Sequence, residues 1–314
     1  MLAQKRYENL DQINTIRSAK ELLRWRKERR GKTKDLSFVV PHDEDIDIAF
    51  LQNNRTEMTI TWIGHSTFLL QMNGLNILTD PVWANRMGFD KRLSRPGIPI
   101  IDLPPIDLVL ISHGHYDHLD FYTLRRISGE PQFFVPDGLL GLMKRKGYKK
   151  VREFSWWDSF TIQNLTFTFV PAQHWTRRTL WDTNTSHWGG WIIEQKGGKT
   201  IYFAGDSGYF RGFKEIGKRF SIDYALMPIG AYEPEWFMSP QHVNPEEAVR
   251  AFLDVKAKCF IPMHYGAFRL ADDTPKEALE RVKSEWERLR LPNEQLNILK
   301  LGEIFRPDLS HKNT

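Results

Sequence analysis

Three histidines and an aspartate, His113, His115, Asp117 and His118, fall within six residues of the stretch ISHGHYDHLD at 111–120, in a chain with only ten histidines. Neither a helix nor a strand converges side chains at those four positions, whereas a tight loop does. Imidazole and carboxylate donors suit a borderline cation such as zinc. The competing reading is a polar surface turn rich in histidine by chance, but four ligand-type residues at this spacing are a specific signal. Four donors fill one structural site, and a catalytic pair of metals needs more. Three further candidates each follow an apolar run: His174 in FTFVPAQHW, Asp206 in TIYFAGDSG and His264 in CFIPMHYG. Each alone is compatible with a satisfied structural residue. Together with the histidine turn they read as ligands, because α/β sheets gather functional groups at the carboxyl ends of strands.

The elements that would position these residues are legible in outline. IDLVLIS, just before the turn, is a nearly continuous apolar run, as expected of a strand covered on both faces. MTITWIGHSTFLLQMNGLNILTD places Asn73-Gly74 between two apolar runs, a hairpin signal because both turn positions tolerate positive φ. QFFVP, FTIQNLTFTFV, WIIEQ, TIYFAGD, YALMPIG, CFIPMHYG and LNILKLG read as further strands. Asn244-Pro245-Glu246-Glu247 and Thr274-Pro275-Lys276-Glu277 each open a helix with a cap followed by proline. Ahead of all this, Leu10, Ile13, Ile16, Ala19 and Leu23 recur at helical spacing and lead into the basic run ELLRWRKERRGKTK around Trp25. The expected organisation is α/β, with an N-terminal helical extension over residues 1–57 and a catalytic domain over 58–314.

Bulk composition agrees. The 314 residues are 41% hydrophobic, with 20 Phe and 11 Trp, enough for a substantial core. One cysteine, Cys259, excludes a disulfide framework within the chain and suits a reducing compartment. No signal-peptide core and no membrane-length apolar stretch is seen, so the expectation is a soluble, cytoplasmic protein. Residues 1–35 carry eleven Lys/Arg and five Asp/Glu, which leaves −1 for the rest of a chain whose net charge is +5. Basicity confined to the arm argues against a nucleic-acid partner and for a local acidic contact. For the arm itself two readings stand, a helix docked on the body and an interfacial helix on anionic lipid. A homodimer is a further open expectation.

H-x-H-x-D-H, then a strand-end His, then Gly-Asp, then a strand-end His, resembles the pattern of metallo-β-lactamase-fold hydrolases. That resemblance implies an αββα sandwich with a dinuclear site at its edge. It implies that His113, His115 and His174 hold one zinc ion, that Asp117, His118 and His264 hold a second, and that Asp206 bridges them. The strings TWIGHST, LTDPV, LPPIDLVLISHGHYDHLD, QHWTRRTLWD, FAGDSGYF, EIGKRF, PIGAYEPEWFM and QHVNPEEAV look like the N-acyl-phosphatidylethanolamine-hydrolysing phospholipase D branch over most of 58–302. The chain departs from that branch at His187, where an apolar residue is expected, and in its short N-terminal arm.

The chemistry follows from the donors as well. Two metals about 3.5–4 Å apart share a hydroxide and clamp the oxygens of an in-line displacement. A bound water's pKa falls from near 15.7 to around 7, so no serine or cysteine nucleophile is required. Asp206 and His242 are the catalytic candidates. His242, in SPQHVNPEE, resembles the branch's non-ligand active-site histidine and would meet the phosphate or the leaving oxygen; its alternative is an ordinary loop histidine. Trp175, Arg177 and Arg178, just after His174, suit an amphiphile with an anionic head, core packing being the alternative for the tryptophan. His65 in IGHST has two readings, a hydrogen-bond partner of the metal shell and a structural histidine. The expected activity is hydrolysis of a phospholipid or small phosphodiester, possible lipid contact being peripheral. The second class is ester or lactone hydrolysis.

Overall fold

Alternating apolar residues along the strands decide the layering in this computed structural model, which describes residues 5–307. The chain lays down β1 (Thr59–Gly64), β2 (Thr67–Met72) and β3 (Leu75–Thr79), then leaves for a short hairpin of β4 (Arg86–Met87) and β5 (Asp90–Lys91). It returns as β6 (Ile106–Leu110), β7 (Gly129–Pro136) and β8 (Val151–Phe154). A second sheet holds β9 (Ser159–Ile162), β10 (Leu165–Val170), β11 (Gly190–Gln195), β12 (Thr200–Phe203), β13 (Tyr224–Pro228) and β14 (Cys259–Met263). β15 (Ile304–Phe305) then pairs antiparallel with β1 at the edge of the first sheet. The orders are β15-β1-β2-β3-β6-β7-β8 and β14-β13-β12-β11-β10-β9. Strands β3-β6-β7-β8 run parallel, as do β12-β13-β14.

Ile60, Trp62, Phe68, Leu70, Leu108, Leu110 and Phe134 of the first sheet meet Phe167, Phe169, Trp191, Phe203 and Leu226 of the second in one core. The intervening residues Ile63, Leu69, Val109, Phe133 and Val135 face the opposite way. They pack under α2 (Ile48–Asn53), α3 (Phe121–Leu124) and α4 (Leu140–Arg145), which contribute Leu51, Phe121 and Met143. Burying each large apolar side chain favours folding by roughly 1.5–3 kcal/mol. Alternate faces of one sheet thus serve two cores. The second sheet is covered by α5 (Gly212–Arg219), α7 (Pro245–Val255) and α8 (Pro275–Arg288), with α6 (Glu235–Met238) before α7. The result is the expected αββα sandwich.

Local chemistry explains most boundaries. Asn73 (φ 49°) and Gly74 (φ 77°) make the β2–β3 turn with both central residues left-handed. Asn244 and Glu247 form a capping box at α7, Pro245 takes its first turn, and Thr274 caps α8 in the expected place. Three expectations change. FTIQNLTFTFV is two strands, β9 and β10, with a turn at Gln163 (φ 53°). LNILKLG forms no ladder; Leu296 and Leu301 make only isolated bridges to Phe260 and His42. The helical spacing of Leu10, Ile13 and Ile16 yields only one 3-10 turn, Leu10–Gln12, and no α-helix. The helix of the arm, α1, is Ala19–Arg29, because Ser18 and Glu21 close a capping box there.

The arm is docked. The Trp25 ring lies 4.8 Å from that of Phe237 and its indole N–H donates to Asp272 at 2.7 Å. Arg29 pairs with Asp272, and Lys34 with Glu233 and Glu277. Among the described residues no helix is long and apolar enough to cross a membrane.

Candidate metal centre

Six strands deliver polar side chains to one rim of the sandwich. His65 follows β1, Asp80 follows β3, the histidine turn follows β6, His174 follows β10, Asp206 follows β12 and His264 follows β14. His65 and His264 both take left-handed backbone, at φ 55° and 62°, and His264 N–H donates to the His65 carbonyl.

All seven sequence-predicted metal-ligand candidates converge. His113 Nε2 is 2.9 Å and His174 Nε2 3.2 Å from His115 Nδ1. Asp117 Oδ2 lies 3.3 Å from His118 Nε2 and 3.8 Å from His264 Nε2. Asp206 Oδ2 stands between the two groups, 3.2 Å from His118 Nε2, 3.1 Å from His264 Nε2, 4.0 Å from His113 Nε2 and 3.9 Å from His174 Nε2. Within each of the sets His113, His115, His174 and His65, Asp117, His118, His264 the potential ligand atoms lie within 4.8 Å of one another.

Buried polar atoms nearly always find partners. Here His118 Nε2, both ring nitrogens of His264, His115 Nε2 and Asp206 Oδ1 are buried without a hydrogen bond. Of these, His118 Nε2 and His264 Nε2 face Asp117 and Asp206, and inward imidazole nitrogens left unpaired beside carboxylates suit a divalent cation of zinc's type, so the residues fit the metal that the sequence pattern implies. Burial raises the Asp206 carboxyl, but His118 and His264 outweigh it and hold the group well below the usual carboxylate range. Burial likewise opposes ionisation of Asp117, and His118 again reverses the balance.

A second set of contacts fixes which nitrogen each ring turns inward. Asp80 is fully buried and accepts from Ser112 N–H, from Ser112 Oγ–H and from His118 Nδ1–H at 2.7 Å. Because Ser112 Oγ gives its proton to Asp80, it accepts from His113 Nδ1–H at 2.9 Å. Asp80 thus leaves the Nε2 lone pairs of His118 and His113 free for the centre. His174 Nδ1–H donates to the Gln241 carbonyl at 2.9 Å with the same result. His65 Nε2 lies 3.0 Å from Asp117 Oδ2. The sequence reading gave Asp80 no role and left His65 undecided. The strand-end position of LNILTD was the signal for Asp80.

His242 comes to the same place, with Nδ1 3.9 Å from Asp206 Oδ2 and its ring 5.1 Å from that of His174. Burial pulls its pKa down to about 3. The centre opens into a cleft of about 870 Å³ lined in part by His115, Asp117, Trp175, Arg177, Met87 and Leu180. Trp175 sits edge-on to His115 at 4.8 Å, and Arg177 lies over the Trp175 ring at 5.4 Å. Arg178 also reaches the cleft, but its guanidinium donates to the carbonyls of Gly114 and Leu119 at 2.8 and 2.9 Å and stacks on Tyr116, so it clamps the histidine turn. Leu180 of the lining is 79% accessible, and Phe89 and Trp181, next in sequence to the lining residues Gly88 and Leu180, are 99% and 82% accessible, which gives the cleft exposed apolar neighbours. Cys259, at the far end of β14 from His264, is buried with its thiol pushed up to about 12, which leaves it inert.

Residues 75–265 match the family model described as a beta-lactamase superfamily domain. The chain is 36% identical over 268 residues to N-acyl-phosphatidylethanolamine-hydrolyzing phospholipase D 1 of Caenorhabditis elegans, aligning 78% of its length with 74% of the worm protein. It is 36% identical over 242 residues to the mitochondrial N-acyl-phosphatidylethanolamine-hydrolyzing phospholipase D of Saccharomyces cerevisiae, covering 72% of this chain and about half, 52%, of the yeast protein. Among solved structures, a metallo hydrolase from the archaeon Ignicoccus hospitalis superposes with a TM-score of 0.61 at 25% identity, over 80% of this chain and 98% of that one.

Proposed function

This chain belongs to the beta-lactamase superfamily of metal-dependent hydrolases, and from that premise we propose that it is a phosphodiesterase of the phospholipase D type, holding two zinc ions and acting on a phospholipid such as an N-acylated phosphatidylethanolamine. The observation that carries the reading is the cluster of seven inward donors at one end of a cleft with an apolar rim. In this reading His113, His115 and His174 hold one ion, Asp117, His118 and His264 the other, and Asp206 lies between them. The metals, when bound, supply Lewis acidity toward the phosphoryl oxygen and a water made nucleophilic at neutral pH.

The chain's own residues do the rest. Trp175 and Arg177 flank the approach to His115, where an indole face and a guanidinium meet an acyl chain and an anionic phosphate. Phe89, Leu180 and Trp181 offer apolar surface where a lipid enters, so a peripheral contact with anionic lipid belongs at this rim, Trp25 being engaged with Asp272 and Phe237. The hydroxyls of Ser112 and Ser207 are buried and donate to Asp80 and to the Gly208 carbonyl, so neither is poised as a nucleophile. Water therefore adds to phosphorus directly, and the bond from phosphorus to the head-group oxygen breaks with a proton going to the leaving alkoxide. A panel of phospholipids turned over in oxygen-18 water tests this. The label is expected on the phosphatidic acid phosphate and none on the released amide alcohol, with no transfer to added primary alcohols. Inactivity on every phosphodiester together with lactone opening would replace the substrate class with the ester-hydrolase reading.

His242 is placed to give an N–H to the phosphate or the leaving oxygen. His242→Ala is expected to lower kcat by about 10²–10⁴-fold while elemental analysis finds the metal content unchanged. Loss of metal instead would make it a ligand, an arrangement its 3.9 Å approach to Asp206 permits.

A further inference from the structure

The ligand pattern begins at residue 113, yet a side chain from the first ten residues grips the backbone of one ligand candidate on both sides. Asn9 is buried, and its Oδ1 accepts from His174 N–H at 3.0 Å while its Nδ2 donates to the His174 carbonyl at 2.9 Å. The pair of bonds copies what a neighbouring strand would give. His174 needs it, because β10 has ended at Val170 and neither its N–H nor its carbonyl has a backbone partner among the described residues. Thr15 Oγ donates to the same carbonyl at 2.9 Å, and the Trp188 indole N–H to Asn9 Oδ1 at 3.0 Å.

We propose that Asn9, seconded by Thr15, is a positioning residue of the metal centre, fixing the His174 backbone so that Nε2 points at His115 while Gln241 sets the ring's rotation. The proposal rests on His174 being a ligand. It also gives the two departures from the phospholipase D pattern one cause. His187, the unexpected histidine, is sandwiched between the rings of Tyr7 at 4.4 Å and Trp156 at 4.3 Å, and Tyr7 N–H donates to the Asn184 carbonyl. The segment from Tyr7 to Thr15 is thereby seated on the loop that follows His174. The arm completes the centre rather than hanging from it.

The test is titration of cobalt(II) alone into metal-free, full-length protein, with affinity read by chelator competition and geometry by the visible d–d bands. Asn9→Ala is expected to weaken one of the two cobalt ions by about tenfold or more and to alter its band, leaving the other ion unchanged. Asn9→Asp, which puts an acceptor against the His174 carbonyl, is expected to do at least as much, and Thr15→Val less. Trp25→Ala loosens the arm at Phe237 and Asp272 without touching His174, so it is expected to lower the Tm with cobalt affinity intact. Unchanged affinity and spectrum in Asn9→Ala would overturn the proposal. So would an equal loss in Trp25→Ala, which would make the effect one of docking alone. Should Asn9→Ala not fold, unchanged cobalt binding in Thr15→Val overturns it. A wild-type protein that takes up no cobalt overturns the metal reading beneath it, and the substrate class does not enter the readout.

Discussion

Asp206→Asn is expected to yield a folded protein that has lost nearly all turnover and much of its metal. Asp206 Oδ2 is within 3.1–4.0 Å of ring nitrogens from five histidines, His113, His118, His174, His242 and His264. Its Oδ2 thus faces ring nitrogens of both proposed ion positions. The amide keeps the shape but brings no charge, and where its nitrogen replaces an oxygen it turns hydrogens toward the centre. Several kcal/mol of electrostatic stabilisation are lost with the charge, roughly a thousandfold in rate. Elemental analysis should fall from two equivalents toward one or fewer, while circular dichroism stays native. Two retained equivalents with undiminished hydrolysis would remove Asp206 from the centre.

The second large effect belongs to a residue that need touch neither metal nor substrate. Asp80→Ala removes the acceptor of Ser112 N–H, Ser112 Oγ–H and His118 Nδ1–H in a fully buried place. Each donor left unpaired costs about 1–3 kcal/mol. The tautomers of His118 and, through Ser112, of His113 are no longer specified, so both proposed ions are weakened, by about 10–100-fold in affinity. A lower Tm together with reduced metal retention in a chelator series is the expected result. Asp80→Asn should be milder in Tm, since the amide oxygen still accepts, and nearly as damaging to metal binding. Full metal affinity in Asp80→Ala would show that the rings are aimed by packing alone.

The ligand candidates were legible because each is announced locally: an apolar strand, then a polar residue within a few positions of its end. Asp80 obeys the same rule and was open to the same reasoning. Its role stayed hidden because hydrogen-bond chains through Ser112 are a property of the folded rim. The arm was illegible for two reasons. Leu10, Ile13 and Ile16 happen to match a helical period that the chain does not use, whereas the Ser18 and Glu21 capping box marked the true start. Asn9 meets His174 across 165 positions, a distance over which no pattern in the sequence speaks. LNILKLG shows the complementary failure. An apolar run fits a strand, but ladders need partners, and this one finds isolated bridges only.

The arm's seat also orders events during synthesis. The segment around Asn9 leaves the ribosome well before its partner His174, and Phe237 and Asp272, against which Trp25 docks, leave later still. Contacts that span 165 and 247 positions carry a large loop-closure entropy and form after the local hairpins. The part of the arm around Asn9 can therefore seat once the loop after His174 is out, whereas Trp25 stays unseated until Phe237 and Asp272 follow, and the centre gains its last strand-end donor, His264, between those two. On the proposed ligand set, a nascent chain stalled before residue 264 carries the histidine turn without the donor that completes the second ion's site. Metal retention on such stalled chains should accordingly rise late and steeply with length, not in proportion to the number of donors already made.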